Sequence, residues 1–135
     1  MKALTQAIYS KFTGSALDTL LGGRLYKLEA PDATPFPYAV YFPVSDLPEY
    51  PGGHTIEHLL FQFSLFSSAS SSGEIEDLLT SLRALYDDCT LAITGETLIY
   101  CIRGNLMTSR DDVETPLGTV GIWHYSQEYD LQTVV

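Results

Sequence analysis

The sequence predicts an α+β fold, in which an antiparallel β-sheet carries two main helices packed on one face. Apolar residues recur at helical spacing in two segments, one at the N-terminus and one in the middle of the chain. Apolar and polar residues alternate between and after these segments, as they do in half-buried strands. Consecutive strands set apart from helices favour an antiparallel sheet. We expect residues 1–135 to form a single domain, since this length is usual for one core.

The first predicted element is a helix whose apolar side chains recur every four residues, at Leu4, Ile8 and Phe12. Gly14 is expected to end it. Ser15 is then placed to cap a short second helix, because a serine oxygen can accept a hydrogen bond from a free backbone amide of the first turn. Gly22 and Gly23 should end that helix, since glycine adopts the left-handed conformation at low cost.

The next segments are predicted to be strands. Residues 24–30 form a short one, and residues 38–44 form a clearer one in which Pro43 marks an edge or a bulge. Residues 45–54 are rich in proline and glycine and predict a loop or hairpin tip. Residues 55–66 alternate as a long strand with one buried face, which consists of Leu59, Phe61, Phe63 and Leu65.

The second main helix has the clearest periodicity in the chain. Ser71 stands three residues before Glu74, a spacing that matches a capping box. Asp87 and Asp88 are unfavourable at a helix C-terminus and should end the helix there. The apolar stripe between these points consists of Ile75, Leu78, Leu79, Leu82, Leu85 and Tyr86.

The last third of the chain is predicted to consist of three strands, over residues 90–94, 98–103 and 119–131. Gly95-Glu96 is expected to form a tight turn between the first two. Residues 105–116 are polar and predict a loop or a short strand end.

Composition excludes several classes of protein. The net charge is −10, with 7 basic and 17 acidic residues, so we expect no sequence-specific nucleic-acid binding. No apolar run reaches the roughly 20 residues that cross a bilayer, and the first residues lack the apolar core of a secretion signal. Cys89 and Cys101 match no zinc or redox spacing and are expected to be free thiols.

The charge is distributed unevenly along the chain. Residues 1–27 contain four basic residues and one acidic residue, whereas residues 28–135 contain three basic and sixteen acidic residues. One interpretation is a solvated acidic surface. The other is that a basic end meets an acidic face on a neighbouring copy, a heterologous contact of the kind that closes rings.

One motif supports an alternative function, a small zinc-dependent hydrolase. Residues 54–58 read His-Thr-Ile-Glu-His and match the H-x-x-E-H pattern of some zinc proteases. On a helix the two histidines would lie about 6 Å apart and could share a metal, with Glu128 as a third ligand. On a strand they would lie about 13 Å apart, too far for one zinc ion. The alternation after Glu57 favours the strand, with surface histidines at its start.

The other candidate catalytic groups are weaker. His124 has no nucleophile elbow to serve, so we expect a hydrogen-bonded histidine within a sheet. The adjacent carboxylates Asp87-Asp88 and Asp111-Asp112 make poor acid–base pairs, because neighbouring side chains diverge in a strand or helix. We therefore predict no catalytic residues, no metal and no cofactor.

Four segments together resemble a known family. They are Leu-Gly-Gly-Arg-Leu-Tyr at 21–26, Pro-Tyr-Ala-Val-Tyr at 37–41, Trp-His-Tyr at 123–125 and Glu-Tyr-Asp at 128–130. Together with the amphipathic first helix, Ala30-Pro31, the long strand and the helix from Ile75 to Tyr86, in this order, they resemble the tail-completion proteins of long-tailed phages and prophages, which include head–tail joining and tail-terminator proteins. The resemblance implies an α+β subunit that forms a ring, commonly a hexamer, and that joins the tail tube to the head connector. It also implies a location in the virion and, during assembly, in the bacterial host cytoplasm.

The expected contacts with neighbouring subunits or partners lie in two polar segments. A monomeric binding module of unknown ligand remains a further alternative to the ring. The candidate contact residues are Pro48, Glu49, Tyr50, Pro51, Arg110, Asp111 and Asp112.

Overall fold

The computed structural model describes residues 1–135 and contains three helices and five strands. The strand order is β1-β2-β3-β5-β4, with β1 parallel to β2 and all other neighbours antiparallel. The α+β class is confirmed, and the sheet is mixed at its β1 edge. No helix has the length and apolar character needed to cross a membrane. The elements are α1 (Lys2–Phe12), α2 (Ala16–Leu21), β1 (Leu25–Lys27), β2 (Tyr38–Glu49), β3 (Ile56–Ser67), α3 (Gly73–Tyr86), β4 (Thr97–Thr115) and β5 (Gly118–Val134).

The limits of α2 follow from its terminal residues. The Ser15 hydroxyl accepts a hydrogen bond from the backbone amide of Asp18 at 3.2 Å, which satisfies a free amide of the first turn. Gly22 follows the helix in the left-handed conformation, with a φ of 60°. Both predictions for this helix are confirmed.

The helix α3 buries the predicted apolar stripe, but its start differs from the prediction. The residue before the helix is Ser72, and no side-chain hydrogen bond caps it, so the capping box at Ser71 is wrong. The Glu74 carboxylate instead accepts a hydrogen bond of 2.7 Å from the hydroxyl of Ser67, the last residue of β3. The helix ends before Asp87, as expected.

The strands β2 and β3 form a longer hairpin than the sequence predicts. Their pairing continues to Glu49 and Ile56, so residues 45–49 are strand and only residues 50–55 connect the two. The register shifts between Pro43 and Ser45, which confirms the expected irregularity at this proline. The β3 face predicted to be buried lies in the core.

The last third of the chain differs most from the prediction. Residues 90–94 form no strand, and the chain instead reaches β4 through an irregular segment. The predicted loop over residues 105–116 is wrong, because β4 continues to Thr115 and pairs with β5 along its length. Both faces of β4 over residues 105–115 are largely exposed, so the polar composition of this segment is compatible with a strand.

One core joins α1 and α3 to the same face of the sheet. The Tyr86 hydroxyl of α3 donates to the Ile8 carbonyl of α1 at 2.8 Å, and the Phe63 ring of β3 stacks on Tyr86 with centroids 4.7 Å apart. The Tyr41 hydroxyl of β2 donates to the Thr5 carbonyl at 3.3 Å. Two main helices therefore pack on one face of the sheet, as predicted.

We expect Thr133→Val to raise the free energy of unfolding by about 1 kcal/mol. Thr133 is 1% exposed, and its hydroxyl oxygen has no hydrogen-bond partner. An unpaired buried hydroxyl is destabilising, and valine replaces it with a methyl group of similar shape. Chemical denaturation measures the change. The matched variant Thr133→Ser keeps the hydroxyl and loses the methyl group, so it should be destabilised; a valine variant that is less stable than wild type would contradict the prediction.

Candidate interaction surfaces

A two-stranded arm projects from the sheet and is formed by the end of β4 and the start of β5. The first residue of β5 that pairs with β3 is Trp123, opposite Ser67. Beyond it, residues 111–115 pair with residues 118–122 and with no other strand. We call residues 111–122 the arm; its five pairs span about 17 Å. The arm lies outside the core and presents its side chains to solvent or to a partner.

The arm is acidic and has an apolar tip. Residues 111–122 include three acidic residues and no basic residue. Asp112 and Glu114 are two positions apart on β4, so their side chains lie on the same face of the ribbon, whereas Asp111 lies on the other. Leu117 in the turn is fully exposed. The arm therefore combines like charges on one face with an exposed apolar side chain at its end.

The base of the arm is fixed by Arg110 and Trp123. The Arg110 guanidinium lies over the Trp123 ring, 4.4 Å from its centroid, and passes directly over Gly121, where a Cβ atom would collide with it. The Trp123 indole N–H donates to the Ala69 carbonyl at 3.1 Å. A cation held over an aromatic ring stabilises that arrangement. Arg110 thus contributes to the base of the arm, next to the exposed carboxylates.

Gln127 forms hydrogen bonds at the point where the register between β4 and β5 shifts. The register between β4 and β5 shifts between Arg103 and Leu106. The fully buried Gln127 amide nitrogen donates to the carbonyls of Gly104 and Asn105 at 3.1 and 3.2 Å. Its oxygen accepts two hydrogen bonds from the Arg83 guanidinium of α3, at 3.1 and 2.8 Å. One side chain therefore connects α3 to the strand irregularity.

Gln127 is not among the residues that the sequence predicts to be functional, although one signal for it is present. Gln127 lies at an inward position of β5, between the buried residues Tyr125 and Tyr129. A polar side chain at such a position requires hydrogen-bond partners, because an unpaired amide in the core is costly.

The candidate contact residues form two separate groups. Pro48 and Glu49 end β2, and Tyr50, which is 75% exposed, begins the connection to β3 together with Pro51. Residues 110–112 lie at the arm, beyond the opposite end of β3. The length of β3 separates the groups by about 36 Å.

The H-x-x-E-H residues are spread along a strand and its preceding turn. His54 lies in the turn, and Glu57 and His58 are neighbours in β3, so their side chains point to opposite faces. His58 contacts Glu49 across the hairpin, with nitrogen and oxygen 3.4 Å apart. Glu128 lies opposite Gln62, four positions along β3 from His58. No three His, Cys, Asp or Glu side chains form a group that could hold a metal ion.

The third histidine and the two cysteines make contacts within the fold. The His124 ring stacks on Phe66 with centroids 4.4 Å apart and is hydrogen-bonded to the Ser126 hydroxyl at 3.0 Å, as expected for a sheet histidine. Burial lowers the pKa of His124. Cys89 and Cys101 are free thiols, and the hydrogen bond between them lowers the pKa of Cys89.

A basic groove lies beside α1. It runs between α1, β1 and the irregular segment before β4, and has a volume of about 570 Å³. Lys2 and Lys27 are its only charged lining residues. Tyr9, which is 43% exposed, also lines it. We call this feature the basic groove.

The fold is similar to that of solved structures. A chain described as "Virion of native gene transfer agent (GTA) particle" is 15% identical, with a TM-score of 0.73 and 96% of each chain covered. A second solved protein is 14% identical, with a TM-score of 0.52 and 94% of each chain covered. A search of curated protein sequences finds no match. The fold is therefore of a class that occurs in a virion particle.

The family is shown by the sequence itself. The family model described as "Tail completion protein gp17" matches residues 6–121, which is most of the chain. The chain belongs to this family of phage tail completion proteins, and the resemblance found in the sequence is confirmed. Its role is that of a phage structural protein.

Proposed function

We propose that residues 1–135 form one domain that completes a phage tail and joins it to the head connector, as a subunit of a homo-oligomeric ring. The observation that carries the proposal is the match to the tail completion family over residues 6–121. The similar fold of a chain from a gene transfer agent virion supports a place in the assembled particle. Assembly itself would take place in the host cytoplasm.

The surfaces of the molecule support contacts between copies. An acidic arm extends beyond the sheet where β4 turns into β5, and a basic groove lies between α1, β1 and the segment before β4. Surfaces of opposite character at different places on one subunit favour heterologous contacts, which close into rings when the rotation allows. The ring size that we propose is the hexamer.

The two groups of candidate contact residues divide the roles within this proposal. Residues 110–112 adjoin or belong to the arm and are assigned to contacts between subunits. Pro48, Glu49, Tyr50 and Pro51 lie about 36 Å away along β3 and are assigned to the tail tube or the head connector. Two contact regions so far apart suit a subunit that binds both its copies and a larger particle.

No step of this role requires a catalytic residue, a metal ion or a cofactor. The role relies instead on shape and charge at exposed strands and turns. Loops and turns on a rigid sheet are usual positions for binding residues.

In vitro complementation tests the proposal. A phage or prophage lysate that lacks this chain should accumulate unjoined heads and tails, counted by negative-stain electron microscopy. Addition of the purified protein should restore joined particles, and buffer alone should not. Joined particles that form at the normal frequency without the chain would contradict the role.

The copy number on the tail tests the ring. Tails isolated after complementation with the labelled protein should carry several copies each, in a fixed number. Native mass spectrometry of the complex released from the tails should give one mass. A single copy per tail would support complementation and would contradict the ring.

A further inference from the structure

We propose that the arm of one subunit docks in the basic groove of the next copy, with Asp112 and Glu114 facing Lys2 and Lys27. This inference rests on the proposed homo-oligomer and identifies the two surfaces that form its contact. Its occupant is a second copy of this chain.

Charge complementarity is the first argument. The arm itself has three acidic residues, and the charged residues that line the groove are both lysines. Arg110 at the base of the arm shares the face of Asp112 and Glu114, so that face keeps one negative charge in excess. Opposite potentials on facing surfaces speed association and select the correct partner. Asp112 and Glu114 share one face of the ribbon, so both can face the groove at once.

Shape is the second argument. A groove of about 570 Å³ holds several side chains, which suits the end of a narrow two-stranded ribbon. Leu117 at the tip is fully exposed, and Tyr9 offers an exposed aromatic surface within the groove. Contact between them would remove apolar surface from water in addition to pairing charges.

Position is the third argument. The arm belongs to β4 and β5 at one edge of the sheet, and Lys27 belongs to β1 at the other. Four strand spacings of about 4.8 Å separate these edges. The docking surfaces therefore face different neighbours, and an arm-to-groove contact that repeats from copy to copy is heterologous.

Charge reversal gives a direct test. The basic-arm variant carries Asp112→Lys and Glu114→Lys, and the acidic-groove variant carries Lys2→Glu and Lys27→Glu. Each variant alone places like charges at every contact, so self-association should weaken by about ten- to a hundredfold. Sedimentation velocity over a series of concentrations measures this, and added salt should weaken the wild-type assembly.

The mixture of the two variants is the decisive sample. A basic arm then faces an acidic groove, and the unchanged acidic arm of the second variant faces the unchanged basic groove of the first. An equimolar mixture should therefore recover assembly in an alternating ring. A single chain with all four reversals should also recover it. Variants that assemble alone as wild type does, or a mixture that fails to recover, would overturn the inference.

The control variant carries Glu76→Lys and Asp77→Lys on the exposed side of α3, which gives the same change in net charge as the basic-arm variant. It should assemble like wild type. Circular dichroism should show that all variants are folded, because the four reversed residues are exposed. A control as weak as the basic-arm variant would assign the effect to net charge and contradict the inference.

Photocrosslinking separates this inference from the proposed function. The variant Leu117→p-benzoylphenylalanine should crosslink between subunits to α1 or to the peptide that contains Lys27, identified by mass spectrometry. Crosslinks to other surfaces of an assembled ring would overturn the docking mode and leave the ring intact. Absence of any assembly of the wild-type chain, in solution or on tails, would overturn the ring together with its contact.

Discussion

Phe63→Ala is expected to lower the free energy of unfolding by about 3–5 kcal/mol. Phe63 is 2% exposed and lies at the centre of the core. Its ring stacks on Tyr86 at 4.7 Å, meets Tyr129 edge-on at 5.8 Å and stacks on Tyr41 at 6.1 Å. Removal of the ring leaves a cavity between strands and α3 that the surrounding rings cannot fill without leaving their rotamers.

The matched control for this prediction is Phe66→Ala, three residues along the same strand. Phe66 is half-buried on the opposite face, where it stacks on Tyr38 with centroids 4.8 Å apart. Phe66→Ala should lower the free energy of unfolding by less than half as much as Phe63→Ala does, because water can enter the space that the Phe66 ring leaves. Urea denaturation followed by circular dichroism gives both values. Equal losses of unfolding free energy in the two variants would contradict the prediction, because they would show that the helix-covered face contributes no more to stability than the opposite face.

Gln127→Leu is expected to lower the free energy of unfolding by about 2–4 kcal/mol and to weaken assembly. Leucine fits the space of glutamine but leaves the Arg83 guanidinium and the carbonyls of Gly104 and Asn105 without their partner. Removing one partner from buried polar groups costs more than the hydrogen bond contributes. The irregularity in β4 that leads to the arm should then lose its fixed geometry.

Three measurements test this role of Gln127. Gln132→Leu changes the same residue type at a half-buried position of β5 and should cost less than about 1 kcal/mol. In a double-mutant cycle, Arg83→Met should cost less in the Gln127→Leu background than in wild type, because the two side chains share one network. Additive effects of the two substitutions would contradict the network. Hydrogen exchange should show faster amide exchange at residues 104–106 in the Gln127→Leu variant.

The predictable part of the fold is the part with one buried face. The stripe of α3 and the alternation of β3 each repeat with the period of their element, so the sequence alone locates them. Ser15 and Gly22 are equally local, since cap chemistry depends on a few neighbouring residues. Hydrophobic periodicity and terminal residues are therefore sufficient for these elements.

The arm is not predictable in this way because neither of its faces is buried. Alternation reports the difference between a core face and a solvent face, and residues 111–115 lack a core face. Pairing with β5 is a long-range property that the polar composition of this segment does not indicate. The parallel pairing of β1 with β2 is missed for a different reason, because three residues carry too short a pattern.

The sequence indicates the charges of the candidate interaction surfaces, whereas their arrangement in space is visible only in the structure. The contrast between a basic N-terminal region and an acidic remainder is visible in composition. The groove that Lys2 and Lys27 line depends on how α1 packs beside β1, which no local pattern encodes. The capping box is wrong for a related reason, because the Glu74 carboxylate accepts its hydrogen bond from Ser67 at the end of β3 and not from the backbone at the start of its own helix.

The two prolines of β2 have a consequence for how copies of the chain avoid unwanted association. The short β1 pairs with β2 only from Ala39 to Tyr41, so beyond this point β2 has no outer neighbour. That exposed stretch contains Pro43 and Pro48, which lack amide hydrogens, and the charged Asp46. Such an edge resists extension by a foreign strand. The β2 edge therefore offers neighbouring copies fewer free amides than its twelve residues would otherwise present.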